Sequence, residues 1–313
     1  MPKTKATQPK ATGRRLISDA FFIYYFCAVK PTYITPEALD QFICAALAED
    51  VGEGDHSSLA SIPNDARNQA RLIVKDDGIL AGVEVAQEIF RRVDAGLSVH
   101  VQLHDGARVK YGDIAFTVSG KAQSILTAER LVLNCMQRMS GIATYTDSLN
   151  QLIAGTGAKL LDTRKTTPNF RMMEKWAVLI GGGRNHRYGL YDMIILKDNH
   201  IDYAGGIKQA IQATQTYLQR IGKNLPIEVE TRNLDEVREA LETGGIHRIM
   251  LDNMKPELLR EAVGIINGAV ETEASGGITE KTIAAVARTG VDFISVGALT
   301  HSIKSLDLSL KAY

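Results

Sequence analysis

The 313-residue sequence is poor in the residues that mark secreted or membrane proteins, with three cysteines and one tryptophan. Cys27, Cys44 and Cys135 form neither a CxxC pair nor an even set, which excludes a disulfide framework and indicates reduced thiols in a cytoplasmic protein. The longest apolar stretch at the N-terminus, Phe21–Val29, is too short to span a bilayer. We therefore expect no membrane association.

Net charge is also absent, because 36 Lys and Arg residues balance 36 Asp and Glu residues. Proteins that grip nucleic acid through its phosphates usually carry a basic excess, so no nucleic-acid partner is expected. Any affinity for anions must come from a local cluster of cations. A hydrophobic content of 45% and a charged content of 23% are typical of a soluble globular enzyme.

The first 30 residues do not match the rest of the chain. A basic, polar stretch precedes Phe21–Val29, which imitates the first two regions of a signal peptide, but no small-residue cleavage site follows. We interpret residues 1–30 as a disordered extension, with the first domain beginning near Pro31.

The segment that follows indicates a small α+β domain over residues 31–125. Thr35 as N-cap and Pro36 in the first turn predict a helix over 35–48, followed by a glycine-broken loop over 49–58. Alternating or apolar runs between glycine turns predict strands within 70–82, 97–106 and 113–120, and a helix over 84–93. His100 and His104 are not spaced as metal ligands and are expected to face solvent. His56 is expected to be a loop residue and not a ligand.

A long helix is predicted over 127–149, with Thr127 as its N-cap and a stripe of core residues along one face. This start would place Arg130 in the first turn, where a cation gains nothing from the helix dipole. The position of Arg130 is therefore either incidental or functional.

From residue 159 the chain alternates strands and helices, which predicts a parallel sheet with helical cover that curves toward a barrel over residues 126–302. Only six strands are visible, so we expect an incomplete, open α/β barrel. The predicted strands are Lys159–Asp162, Met193–Leu196, Ile227–Glu230, Arg248–Leu251, Val270–Ala274 and Phe293–Val296. The predicted helices are Tyr203–Arg220, Leu234–Glu242, Pro256–Ile266 and Thr279–Thr289.

Each predicted strand ends in polar, charged or glycine residues, and in a βα barrel these ends converge on one face. Cationic residues directly follow two of the predicted strands, Lys159–Asp162 and Met193–Leu196. The segment between these strands contains a glycine triplet and further cations, from Gly181 to Arg187. Buried positive charge is costly without an anionic partner, so the pattern predicts one site for polyanionic ligands. The residues at this face are Thr163, Arg164, Lys165, Lys197, Glu230, Asp252, Ser275, Gly276, Gly277 and Gly297.

Two features divide this site into parts. Ser275–Gly277, followed by a helix capped by Thr279, predicts a phosphate cradle, because glycine lets the backbone approach and the helix start offers free N–H groups. Glu230 and Asp252 suit Mg²⁺ or the hydroxyls of a ribose. The alternative for these carboxylates is a structural salt bridge to Lys197 or Lys165.

Several runs together resemble the quinolinate phosphoribosyltransferase family. The resemblance covers residue 35 to the C-terminus and includes TRKTTPNFR, EKWAV, GGGRNHRYGL, LKDNH, IEVETRNLDE, IMLDN and EASGGI. Asn169 stands where the family usually has glycine, and asparagine tolerates the left-handed conformation best among substitutes. Thr231 and the GDHSS run depart mildly from the family pattern.

The resemblance implies an N-terminal open sandwich joined to an incomplete barrel, with a C-terminal strand near Leu306–Leu310 within segment 303–313 returning to the sandwich. It implies transfer of phosphoribosyl from phosphoribosyl pyrophosphate to quinolinate with decarboxylation, in de novo NAD biosynthesis, with Mg²⁺ and no organic cofactor. It also implies a homodimer in which Arg130 reaches the neighbouring subunit's site. The implied quinolinate ligands are Arg130, Arg164, His186, Arg187 and Lys197, and the implied donor side comprises Lys165, Glu230, Asp252, Ser275, Gly276, Gly277 and Gly297.

Three other readings stay open at this point. Lys197 at the end of a barrel strand in an apolar setting is compatible with a Schiff-base lyase or aldolase. A related pyrophosphorylase-like paralogue would act on another base. A phosphosugar-binding module without turnover would leave Glu230 and Asp252 without a purpose.

Overall fold

A computed structural model describes residues 30–313. Cys27 and all of the predicted extension except Lys30 therefore lie outside the described residues. Cys44 and Cys135 are free, as expected. His100 and His104 are exposed, which confirms the prediction for them. The N-terminal elements are α1 (Pro36–Val51), α2 (His56–Ser61), β1 (Arg67–Val74), β2 (Gly78–Ile79), α3 (Val83–Val93), β3 (Ser98–Val101), β4 (Arg108–Val109), β5 (Ile114–Lys121) and α4 (Ala122–Leu152).

The N-terminal sheet is antiparallel and includes a strand from the C-terminus, β12 (Leu308–Ala312), in the order β12-β1-β5-β3. This edge strand pairs Leu310 with Leu72, which confirms the predicted return of segment 303–313. Along β1, Ala70, Leu72 and Val74 are buried at alternate positions, as expected for a strand with one face on the core.

Helix starts in this region are set by side-chain caps. The Thr35 hydroxyl accepts a hydrogen bond from the Ala38 backbone N at 3.1 Å, which confirms Thr35 as N-cap of α1. The predicted loop over 49–58 is partly wrong, because α1 continues to Val51 and Asp55 caps α2 by accepting from Ser58 N at 3.1 Å.

The predicted start of the long helix at Thr127 is wrong. α4 begins at Ala122, directly after β5, because Ala122 and Ile125 are buried in the core and extend the helix backward. The Thr127 hydroxyl instead donates to Gln123 O at 2.9 Å inside the helix. Arg130 consequently lies in the third turn of α4, and the boundary predicted between residues 125 and 126 falls within this helix.

The C-terminal elements are β6 (Lys159–Leu161), α5 (Arg171–Ile180), β7 (Ile194–Leu196), α6 (Asp198–Ala204), α7 (Ile207–Ile221), β8 (Ile227–Thr231), α8 (Leu234–Thr243), β9 (Arg248–Asp252), α9 (Pro256–Ile266), β10 (Glu271–Ser275), α10 (Ile283–Ala287), β11 (Phe293–Ser295) and α11 (Ala298–His301). The six strands form a parallel sheet in the order β6-β11-β10-β9-β8-β7. Its edges β6 and β7 are not paired, which confirms an open barrel; a single bridge from Leu161 to Arg184 partly covers the gap.

Two of the predicted barrel helices are wrong in extent. The helix predicted over 203–220 is divided into α6 and α7 by Gly205 and Gly206, whose φ values of 89° and 135° do not fit a right-handed helix. The helix predicted from Thr279 to Thr289 is shorter. Thr279 and Thr282 form a turn closed by a hydrogen bond from Thr279 N to Thr282 Oγ1 at 2.9 Å, and α10 begins only afterwards.

The glycine triplet serves packing. It ends α5, and a Cβ atom on Gly181 would lie 2.9 Å from the Cα atom of Ala143 in α4. Glycine at this position therefore lets α5 and α4 pack closely, which places the segment Arg184–Arg187 at the open edge of the barrel.

Candidate active site

The carboxyl ends of the barrel strands are joined by hydrogen bonds between their loops. Asn253 N, after β9, donates to Ser275 O at the end of β10 at 2.8 Å. Thr300 Oγ1, after β11, donates to Lys165 O after β6 at 2.8 Å. Asp198 N, after β7, lies 3.4 Å from Glu230 Oε1 in β8. Most of the predicted site residues therefore belong to one face of the barrel.

The loop after β6 is shaped by Thr163, whose hydroxyl accepts a hydrogen bond from Lys165 N at 3.0 Å. The Lys165 side chain runs past Gly297, where a Cβ atom would lie 3.1 Å from Lys165 Cδ. Gly297 therefore makes room for the Lys165 side chain. The two predicted donor-side residues are in contact with one another.

Arg164 and Arg187 bring two positive charges together. Arg164 Nε is buried and has no hydrogen-bond partner among residues 30–313. Arg187 donates from Nη1 to Met193 O at 3.1 Å. Burial and the charge of Arg164 both lower the pKa of Arg187. A buried guanidinium nitrogen without a hydrogen-bond partner is costly, so Arg164 together with the neighbouring charge of Arg187 is suited to an anionic ligand.

Glu230, Asp252 and Lys197 are neighbours at the ends of β8, β9 and β7. Burial and the neighbouring charge of Asp252 raise the pKa of Glu230, so the two carboxylates repel one another. The structural alternative, a salt bridge to Lys197, exists only as a 4.0 Å contact from Lys197 Nζ to Glu230 Oε2. The Lys197 side chain is 51% exposed, which does not provide the apolar setting that a Schiff-base lysine requires.

The Ser275–Gly277 turn depends on its glycines. Gly276 and Gly277 have φ values of 92° and 60°, and a Cβ atom on Gly276 would lie 2.9 Å from Asn253 N. The predicted helix cap at Thr279 is wrong, so any phosphate cradle here consists of loop backbone without an adjacent helix start.

A buried frame beneath these residues was not foreseen from the sequence. Lys175 Nζ lies 2.5 Å from Asp162 Oδ1, and both side chains are fully buried. The same carboxylate accepts from Asn185 Nδ2 at 2.6 Å and from His186 N at 2.9 Å. Lys175 belongs to the EKWAV run and Asp162 ends a predicted strand, and the sequence offers no other signal for this frame.

His186 and Arg130 differ from the other predicted ligands. The His186 imidazole points into the barrel, with Nε2 2.9 Å from Glu228 Oε2 and 3.2 Å from Glu273 Oε2. Arg130 is exposed on α4, and within residues 30–313 no hydrogen bond or ion pair joins it to the other predicted ligands. Asn169 adopts a φ of 61°, which confirms that it occupies a left-handed position.

Together, an open six-stranded α/β barrel and a mouth that combines cations, carboxylates and a glycine turn define a class of protein that binds phosphate-bearing anions at its strand ends. Residues 55–140 match the N-terminal domain and residues 142–311 the C-terminal domain of quinolinate phosphoribosyl transferase. The chain belongs to the quinolinate phosphoribosyltransferase family.

Individual relatives agree with this assignment. The chain is 45% identical to quinolinate phosphoribosyltransferase [decarboxylating] 1b of Nicotiana tabacum over 99% of this chain and 94% of the relative. It is 42% identical to a probable nicotinate-nucleotide pyrophosphorylase [carboxylating] of Bacillus subtilis over 84% of this chain and 89% of the relative. The solved structure of NadC from Streptococcus pyogenes is similar with a TM-score of 0.85 and 40% identity, covering 90% of this chain and 98% of that one.

Proposed function

We propose that the protein is a pentosyltransferase that transfers phosphoribosyl from phosphoribosyl pyrophosphate to quinolinate with decarboxylation, giving nicotinate mononucleotide, pyrophosphate and carbon dioxide. The observation that carries this proposal is the buried, unpartnered Nε of Arg164 beside Arg187. Two adjacent guanidinium groups fit an acceptor with two carboxylates, because guanidinium and carboxylate pair in a bidentate fork. The names of the relatives, among them the decarboxylating enzyme of Nicotiana tabacum, support the same reaction.

The acceptor would be held by Arg164, Arg187 and Lys197, which lie at the open edge of the barrel between β6 and β7. Their charges fix both carboxylates and aim the pyridine nitrogen at the anomeric carbon of the donor. Positioning of this kind supplies a large share of a rate enhancement without any covalent intermediate.

The donor would occupy the opposite side, with Lys165 and the backbone of Ser275–Gly277 and Gly297 toward its phosphates. The mutual repulsion of Glu230 and Asp252 is relieved by a cation or by ribose hydroxyls, so these two residues fit Mg²⁺, directly or through water. Bound Mg²⁺ supplies electrostatic stabilisation of the leaving pyrophosphate.

The chemistry needs no nucleophilic side chain. The nitrogen of quinolinate forms a bond to the anomeric carbon while the bond from that carbon to the pyrophosphate oxygen breaks. The 2-carboxylate then leaves as carbon dioxide, and its bonding electrons stay on the ring carbon beside the cationic nitrogen. That carbon takes up a proton to give nicotinate mononucleotide.

The direct test is incubation of the purified protein with quinolinate, phosphoribosyl pyrophosphate and Mg²⁺. We expect stoichiometric carbon dioxide, pyrophosphate and nicotinate mononucleotide, and loss of all three products with Lys197→Ala. Tight binding of phosphoribosyl pyrophosphate without release of pyrophosphate would instead identify a binding module.

We also propose a homodimer in which Arg130 completes the site of the neighbouring subunit. Leu126, Arg130 and Asn134 form an exposed stripe on α4, and Leu126 is 44% exposed although it is apolar. The test mixes two inactive variants, Arg130→Ala and Lys197→Ala. If Arg130 acts across the interface, mixed dimers contain one intact site and regain activity, whereas no activity returns if each subunit is self-sufficient.

A cytoplasmic location is likewise a proposal, supported by the unpaired cysteines. Within residues 30–313, no helix combines the length and the apolar character needed to cross a bilayer. Relatives from Arabidopsis thaliana and Nicotiana glauca are named chloroplastic and mitochondrial. Imaging of the full chain with a C-terminal fluorescent fusion decides between these locations.

A further inference from the structure

A short turn ahead of α1 lies against the segment that carries Arg187. Ile34 N donates to Pro31 O at 2.9 Å, and the Ile34 side chain is buried, so the turn is fixed to the core. Tyr33 is half-buried in this turn, and its ring packs on the ring of Tyr188 with the centroids 4.8 Å apart. The turn therefore brings the N-terminal domain into contact with the segment after the glycine triplet.

The Tyr33 hydroxyl adds a polar contact to the same segment. It donates a hydrogen bond to Asn185 Oδ1 at 2.7 Å, across 152 positions of sequence. Burial and the nearby charge of Asp162 raise the pKa of Tyr33, so the hydroxyl keeps its proton and can act as the donor.

The orientation of the Asn185 amide follows from its other partners. Its Nδ2 lies 2.6 Å from Asp162 Oδ2 and 2.8 Å from Lys175 O, and a carboxylate and a carbonyl oxygen both accept hydrogen bonds. Both N–H bonds of the amide are therefore used, and Oδ1 is left to accept. Within residues 30–313, the donor to Oδ1 is Tyr33. Rotation of the amide cannot replace this donor, because it would turn Oδ1 toward two acceptors.

Arg187 lies between the two residues that Tyr33 contacts. Asn185 is two positions before Arg187, and Tyr188 follows it directly. The segment is also fixed by the buried Asp162, which accepts from Asn185 Nδ2 at 2.6 Å and from the backbone N of the next residue at 2.9 Å. Tyr33 therefore adds a second support to this segment, from the N-terminal domain.

The segment that Tyr33 contacts is joined to the loop that carries Arg164. Arg171 donates from Nε to Thr166 Oγ1 at 2.9 Å and from Nη1 to Tyr188 O at 3.1 Å. A shift of the segment would therefore reach both guanidinium groups of the acceptor side.

We propose that Tyr33 is a positioning residue for acceptor binding, which acts on Arg187 through Asn185 and Tyr188. This inference rests on the proposed function for its kinetic consequences. The support that Tyr33 gives to the segment is a property of the fold and can be measured without turnover.

The kinetic test is Tyr33→Phe, which removes the hydroxyl but keeps the ring packed on Tyr188, so the chain is expected to fold. Asn185 Oδ1 then lacks a donor and the segment is held less firmly. We expect the quinolinate KM to rise roughly 3- to 30-fold, less than the factor of about 10² that a misplacement of about 1 Å costs. The KM for phosphoribosyl pyrophosphate is expected to stay unchanged. Tyr111→Phe is the matched control, because Tyr111 is 69% exposed, and it is expected to change neither KM.

The route through Asn185 is tested by combining two changes. Asn185→Ala removes the acceptor of the Tyr33 hydroxyl and also a donor to Asp162, so it is expected to raise the quinolinate KM more than Tyr33→Phe does. In the Asn185→Ala background, Tyr33→Phe is expected to have no further effect on this KM. Independent, multiplying effects would contradict the proposal, because Tyr33 would then act by another route.

Two other kinetic results count against a positioning role. A parental quinolinate KM in Tyr33→Phe, with only a lower melting temperature, would show that Tyr33 stabilises the fold and nothing more. Equal increases in KM for both substrates would show that the variant loosens the whole mouth of the barrel, and the proposal would be wrong.

Hydrogen–deuterium exchange followed by mass spectrometry measures the support without substrates. The peptide that covers residues 184–189 is expected to exchange faster in Tyr33→Phe than in the parent, whereas peptides from α8 are expected to exchange alike in both. Equal exchange over residues 184–189 would overturn the proposal. If exchange increases as expected and the parent forms no product from quinolinate, the proposed function fails and the support by Tyr33 stands.

Discussion

Arg138 Nη2 lies 2.8 Å from Glu174 Oε1, and this one pair joins helix α4 to two loops of the site. Glu174 is fully buried and also accepts from Thr167 N at 3.0 Å in the loop after β6. Arg138 in addition donates to the Thr300 carbonyl in α11, the short helix after β11. The loops that carry Lys165 and Gly297 are therefore held against the same helix.

Removing Arg138 leaves the buried Glu174 charge unpaired. We expect Arg138→Ala to lower the free energy of unfolding by about 3–5 kcal/mol, the usual cost of breaking a buried ion pair from one side. Urea unfolding followed by circular dichroism measures it. In a double-mutant cycle, the variant with both Arg138→Ala and Glu174→Gln is expected to lose clearly less free energy of unfolding than the two single variants lose together. Additive losses would show that the two residues do not interact.

Arg164 provides the sharpest test of acceptor binding. Loss of its guanidinium removes charge-assisted hydrogen bonds of about 1.5–3 kcal/mol, so Arg164→Ala is expected to raise the quinolinate KM about 10–10²-fold. Arg164→Lys keeps the charge but lacks the planar fork, so its quinolinate KM is expected to lie between those of the parent and Arg164→Ala. Steady-state kinetics with each substrate varied in turn gives the measurement. Lys223→Ala, an exposed change away from the site, is the control, and equal effects on both substrates would argue against a specific acceptor contact.

Gly276 is expected to be required for the donor. Alanine there meets both an unfavourable φ of 92° and the backbone N of Asn253 at 2.9 Å, so the turn must shift. We expect Gly276→Ala to raise the KM for phosphoribosyl pyrophosphate while the quinolinate KM changes little. Gly268→Ala is the matched control, because Gly268 has a φ of 74° with open space around its Cβ position. It is expected to lose stability only.

Asp105 predicts a pH dependence of stability. Its carboxylate accepts from Val83 N at 2.8 Å, yet burial raises its pKa to about 6 from an ordinary 3.8. Between these values the folded state binds more protons than the unfolded state, so the free energy of unfolding falls as pH rises, by roughly 3 kcal/mol in all. Asp105→Asn lacks this contribution. Urea unfolding measures the free energy of unfolding of parent and variant. The difference between them is expected to fall as the pH rises from 4 to 6 and to be constant above pH 6.

The sequence allowed the barrel strands and most of the site to be predicted for identifiable reasons. Apolar runs followed by Arg164, Lys197 or Asp252 indicate strand ends without any tertiary information. The start of α4 could not be located, because Thr127 resembles a cap locally while the burial of Ala122 decides the outcome. Buried charges were missed for a related reason.

Glu174 and Lys175 stand next to one another in EKWAV and would normally be expected at the surface. Both are fully buried, because each meets a partner from a distant segment, Arg138 for Glu174 and Asp162 for Lys175. The inward turn of His186 depends in the same way on Glu228 and Glu273, which lie 42 and 87 residues further along the chain. Such pairings are fixed by the fold and leave no local periodicity to detect.

The pairing of β12 with β1 affects how this protein can be made. β1 is synthesised early, but its outer neighbour arrives only after every strand of the barrel has been translated. Until then the early sheet exposes an unpaired edge through Leu72, to which another chain can add. Nascent and C-terminally truncated chains are therefore the species most exposed to aggregation, and the completed barrel acts as the tether that delivers the missing strand.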